Sequence, residues 1–88
     1  MNRLPAVAAG EPVELVEFDG KHFKLVSPRA FAPGQPLRVE VALASTVVVD
    51  LKSIGCVRRQ DGRFELRARA ATLPRPAREA LLAALVPP

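Results

Sequence analysis

The sequence predicts a mainly β fold, a small closed antiparallel barrel with one C-terminal α-helix. Three observations point there. Apolar and polar residues alternate through several short segments, most plainly where Leu37, Val39, Val41 and Leu43 interleave with Arg38, Glu40 and Ala42. The joins between segments are short and carry turn residues, so consecutive segments run antiparallel. From Leu73 onward the apolar period changes from two to that of a helix.

Taken in order, residues 13–19 read as a strand in which Val13, Leu15 and Phe18 compete for the inner face. Asp19-Gly20 is a hairpin signal into a second strand over 22–26. Residues 27–35 hold Pro28, Pro33 and Gly34 and form a connecting loop, and the alternating strand follows over 36–43. After a turn at Ala44-Ser45, Val47, Val49 and Leu51 share a face, but the next apolar residues, Ile54 and Cys56, fall one position out of phase. That shift predicts a bulge or bend near Lys52-Ser53 in a long strand over 46–59, with Gly55 easing the curvature. Asp61-Gly62 makes a second tight turn, and Phe64, Leu66, Ala68 and Ala70 then alternate with Glu65, Arg67 and Arg69.

The end of the chain is helical. Leu73, Ala77, Ala80, Leu81, Ala84 and Leu85 recur at helical spacing, Pro74 or Pro76 suits a first turn, and Pro87-Pro88 closes the element. The expectation is a helix over 74–86 that packs on the barrel or plugs its mouth. Residues 13–86 form the single domain, and residues 1–12, with Pro5 breaking a short apolar run, are expected to be a flexible or edge-lying arm.

An 88-residue chain supports one small core. With no Trp or Tyr and four Phe, that core is built from Val, Leu and Ala, which argues against a deep aromatic ligand pocket. Cys56 has no second cysteine to pair with, favours a reducing compartment and reads as a small buried strand residue. The N-terminus lacks the form of a signal peptide and no apolar run approaches the ~18 residues of a membrane span, so the chain reads as cytoplasmic. His22 has no Cys or His nearby to share a metal, and no serine lies in a nucleophile motif, so neither metal binding nor an enzyme is expected.

Net charge is +4, unevenly spread. Up to Val57 the charges cancel. The excess lies in Arg58, Arg59, Arg63, Arg67, Arg69, Arg75 and Arg78, set against Asp61, Glu65 and Glu79. Arginines flanking one hairpin suit an anionic partner, including nucleic acid. The missing aromatic platform argues against single-stranded nucleic acid, because Phe64 alternates onto the inner face with Leu66.

The order of segments resembles the PilZ domain, a six-stranded split barrel with a C-terminal helix best known as a bacterial receptor for cyclic di-GMP. The resemblance runs from Glu17 to Leu85. It rests on the loop Ala32-Pro33-Gly34-Gln35, the alternating strand, the segment Gly55-Cys56-Val57-Arg58-Arg59, a glycine turn, one more strand and a Leu/Ala-rich helix. An unrelated small barrel of the SH3 or OB type is the alternative. PilZ receptors resemble one another in an Arg-x-x-x-Arg motif and in a [Asp/Asn]-x-Ser-x-x-Gly motif that opens the second strand. Here Arg3 is followed by Val7 where the second arginine would stand, and the second motif becomes Glu17, Asp19 and His22 in place of its Asp, Ser and Gly. Those changes remove bidentate donors and place carboxylates beside a phosphodiester.

The resemblance therefore implies a PilZ-like adaptor in bacterial motility, pilus or second-messenger signalling, without cyclic di-GMP or another cofactor. Its protein partner would be acidic and meet Arg67 and Arg69. Two alternatives stand beside it: a cyclic di-GMP receptor using Arg58, Arg59 and Arg63, and a basic barrel that binds nucleic acid.

Overall fold

A computed structural model describes residues 3–43 and 45–85. Six strands alternate around a closed antiparallel barrel: β1 (Leu4–Ala8), β2 (Glu11–Phe18), β3 (His22–Ser27), β4 (Pro36–Ala42), β5 (Thr46–Arg58) and β6 (Phe64–Thr72). One helix, α1 (Arg75–Leu85), follows. Around the wall the order is β1-β2-β3-β6-β5-β4, with β1 returning to pair with β4.

The inner faces follow the period-two pattern. Leu37, Val39 and Val41 of β4 are buried and Arg38, Glu40 and Ala42 are exposed. They meet Val49 and Leu51 of β5 and Leu66 and Ala68 of β6 in one cluster. Removing each Leu or Val from water contributes about 1.5–3 kcal/mol, which makes this cluster the main source of stability.

The sixth strand comes from residues expected to be an arm. Ala6 pairs with Val13 on one side and with Val41 on the other, so β1 closes the wall between β2 and β4. Its inward side chains, Ala6 and Ala8, are buried but too small to mark the segment as amphipathic. Ala9 and Gly10 join β1 to β2 with φ of 54° and 79°, two consecutive left-handed residues as a type I′ hairpin requires. The strand expected from Val13 accordingly begins at Glu11. Met1 and Asn2 lie outside the described residues.

Bulges settle the phase conflicts. In β2 the register steps from Leu15 to Glu17, which leaves Val16 unpaired and lets Val13, Leu15 and Phe18 all point inward. In β5 the step against β6 falls between Ser53 and Gly55. The expected bulge is present, but Ile54 is the extra residue. It faces solvent at 48% exposure while Ser53 takes the inner position. A second step, between Asp50 and Leu51, skips Ala71 of β6.

Two loops and the helix complete the barrel. Phe31, inside the loop over 27–35, is buried in the core, a role the loop's Pro/Gly content concealed. Arg29 lies over the Phe31 ring at 5.2 Å. The turn expected at Ala44-Ser45 falls partly outside the described residues, at Ala44. The helix runs one residue shorter at its start than expected, and its expected last residue, Val86, is outside the described residues. It packs against β2 and β5, burying Leu81 fully, and Arg78 donates to the Gly20 carbonyl at 3.2 Å. Among the described residues no helix is long and apolar enough to cross a membrane.

Candidate functional site

The outer face of β3, β6 and β5 gathers three of the cations that make no ion pair among the described residues. Arg69 sits between His22 of β3 and Lys52 of β5 in one cross-strand row. Two residues along β6, Arg67 lies between Lys24 and Gly55. Alternation places Arg67 and Arg69 opposite in direction to the buried Leu66 and Ala68. Lys52, Arg67 and Arg69 are exposed and make no ion pair among the described residues. Lys24, in the same group, is held by Glu17 at 2.9 Å and Glu65 at 3.7 Å, and these carboxylates, Glu17 first, raise its pKa.

The five hairpin arginines do not form a single patch. Arg63 reaches over β3 to Glu14 of β2 at 3.1 Å, where Arg3 also binds at 3.2 Å. These contacts, the Arg3 hydrogen bond first, hold the Glu14 carboxyl below its ordinary range. Below that bridge, Val26 faces outward between Glu14 and Glu65 in register yet is buried. Arg59 lies 3.7 Å from Asp61, while Arg58 is exposed and makes no ion pair among the described residues. Sequence spacing could group the arginines but could not reveal a carboxylate partner on β2.

Glu17, Asp19 and His22, which the sequence comparison set against the PilZ nucleotide motif, have structural surroundings of their own. Glu17 binds Lys24, and Asp19 closes the β2–β3 turn by accepting the backbone N–H groups of Lys21 and His22 at 2.9 and 2.7 Å. Those two bonds, the His22 one first, lower the Asp19 pKa. His22 is exposed, with Nδ1 3.5 Å from Asp19, and no cluster of His, Cys, Asp or Glu able to hold a metal occurs among the described residues. Cys56 is half-buried against the core rather than fully enclosed.

Phe18 and Phe23 stack at 4.3 Å inside the barrel, Phe31 is buried and Phe64 is half-buried. The basic face therefore carries no exposed aromatic ring. A depression beside it, lined by Pro36, Arg38, Asp50, Lys52 and Ala71, is open to solvent and contains the Arg38–Asp50 pair at 3.0 Å. No family model, curated protein or solved structure matches this chain.

Proposed function

We propose that this chain is a binding domain without catalytic chemistry, an adaptor that recognises an acidic surface on a protein partner through the outer face of β3, β6 and β5. The observation that carries the reading is the cluster of Lys52, Arg67 and Arg69, adjacent in register and exposed without carboxylate partners. Such a face accelerates encounter with negative surfaces and fixes their orientation. The burial of three phenylalanines and the half-burial of Phe64 favour a protein over single-stranded nucleic acid, which needs rings on which to stack. Occupation of Glu17 and Asp19 by Lys24 and by the turn backbone supports the loss of a nucleotide site there. The resemblance to PilZ domains supplies the setting we propose, bacterial motility, pilus or second-messenger signalling.

Calorimetric titration tests the reading with two probes, cyclic di-GMP and poly-glutamate. Poly-glutamate should bind with an affinity that falls with salt, and the double reversal Arg67→Glu, Arg69→Glu should abolish it. A saturable isotherm with cyclic di-GMP would replace the adaptor by a receptor, with Arg58→Ala and Arg59→Ala as the variants that locate its site.

A further inference from the structure

Half of β5 has an unused edge. From Thr46 to Lys52 the strand is paired with β4 on one side, and the loop continues that ladder for one more residue, Gly34 donating to the Ser53 carbonyl at 2.7 Å and Ser53 donating to Gln35 at 2.9 Å. There the covering chain stops. Pro33 and Gly34, the latter at φ 82°, turn it away. Beyond Ser53 the strand is paired only with β6, and among the described residues no backbone group bonds to its other edge.

The alternation of the β5–β6 ladder identifies the groups left open. Arg59 donates its backbone N–H to Arg63 at 2.7 Å, so Arg59 faces β6 and its neighbour Arg58 faces away. Two residues back, Cys56 faces the same way, in register with Leu66 as Arg58 is with Phe64. The N–H and C=O of Cys56 and Arg58 thus present an antiparallel or parallel template for an incoming strand, collinear with β4.

We propose that this edge, Ile54 to Arg58, takes up an extended acidic segment of a partner protein as an added β-strand. This rests on the adaptor reading above and places a second, backbone-directed contact beside the basic face. Charge chooses the occupant. Arg58 has no carboxylate partner and Lys52 lies at the near end of the edge, so an acidic strand is complementary. A second copy paired antiparallel about Cys56 would set Lys52 opposite Gln60 and beside Arg59 of its mate, gathering like charge at each end of the pair. Val57, at 64% exposure, and Ile54 offer apolar contact on the outer face, so the incoming segment carries an apolar side chain opposite Val57 and a carboxylate opposite Arg58. Natural sheets seldom leave such an edge uncovered without a use, because it also invites aggregation.

The test uses the full chain, labelled for amide exchange, and an end-capped heptapeptide alternating Glu and Val. A second peptide is N-methylated at alternate residues. Free protein should exchange the Cys56 and Arg58 amides without protection, and the first peptide should slow both at least tenfold. N-methylation, and separately Arg58→Glu, should weaken binding at least tenfold, with unchanged protection at Val39 and Val49 confirming the fold. Equal binding of the methylated peptide, or amides already protected in the free protein, overturns the edge. If binding instead depends on Arg67 and Arg69 alone, the basic face survives and the edge does not. If neither this peptide nor poly-glutamate binds, both readings fall.

Discussion

β5 is two strands in one. Its first half, to Lys52, lies between β4 and β6, buries Val49 and Leu51, and shares the end of the barrel that α1 covers. Its second half has one neighbour, an extra residue at Ile54, and its most exposed apolar side chain, Val57, in solvent. Both halves carry β-branched residues, Val47, Val48 and Val49 in the first and Ile54 and Val57 in the second. What separates them is the reach of β4 and the loop before it, whose bonds to β5 stop at Ser53, where Pro33 and Gly34 turn the chain away. Local composition made both halves strand; the neighbour decided which became core and which became surface.

The comparison breaks most visibly under truncation. Leu51→Ala should destabilise the domain by about 3–5 kcal/mol, and Val57→Ala should stay within about 0.5 kcal/mol, both by denaturant unfolding. Equal losses would mean that the second half is enclosed. Leu81→Ala probes the covered end from the helix side and should cost about 2–4 kcal/mol. An unchanged melting temperature would show a helix detached from the barrel.

Closure by β1 holds β4 in place and so defines the first half of β5. Ala9 sits at φ 54°, a conformation that Asn tolerates better, and Asn-Gly is the favoured pair for this turn. Ala9→Asn should therefore raise stability by about 0.5–1 kcal/mol, read as a higher unfolding midpoint; a decrease would mean that the turn is not type I′.

A smaller effect concerns acid. Glu14 ties the β5–β6 hairpin to β2 through Arg63, and its pKa is lowered in the folded state. A lowered pKa means that the carboxylate's contribution is fully present above the ordinary carboxylate range and is lost as pH falls through the folded value. Protection of the Arg59 amide, whose N–H bonds to Arg63, should therefore decline as pH falls through and below the ordinary carboxylate range while that of Val49 holds. Parallel decline of both would show that the hairpin opens only with the whole domain.

Much of the barrel was legible, and the misses have a common cause. β4 could be read directly because each inward residue is large and each flanking one is polar or small. β1 could not, because its buried residues are alanines and its period is interrupted by Pro5. The phase conflicts in β2 and β5 announced bulges, but not which residue would be extruded. At Ser53 the polar residue went inward, with its Oγ buried and without a partner, while Ile54 went out. How the arginines divide was illegible for a different reason. Whether Arg63 is available depends on Glu14, on a strand two places away around the wall, and no spacing rule reaches that far.

The strand order also fixes a timetable for folding. During synthesis β1, β2 and β3 can pair as soon as they emerge, yet β3 meets its other neighbour only when β6 has been made, since His22 pairs with Arg69 and Phe23 with Ala68. Until then the growing chain carries an open sheet whose two margins, β1 and β3, are joined only by the late arrival of β4, β5 and β6. Non-local closure of this kind slows folding and exposes strands to neighbouring chains. Lys24 on the waiting margin, with Glu17 beside it, supplies charge on that margin throughout the interval, the kind of gatekeeper that keeps nascent sheets from adding the wrong partner.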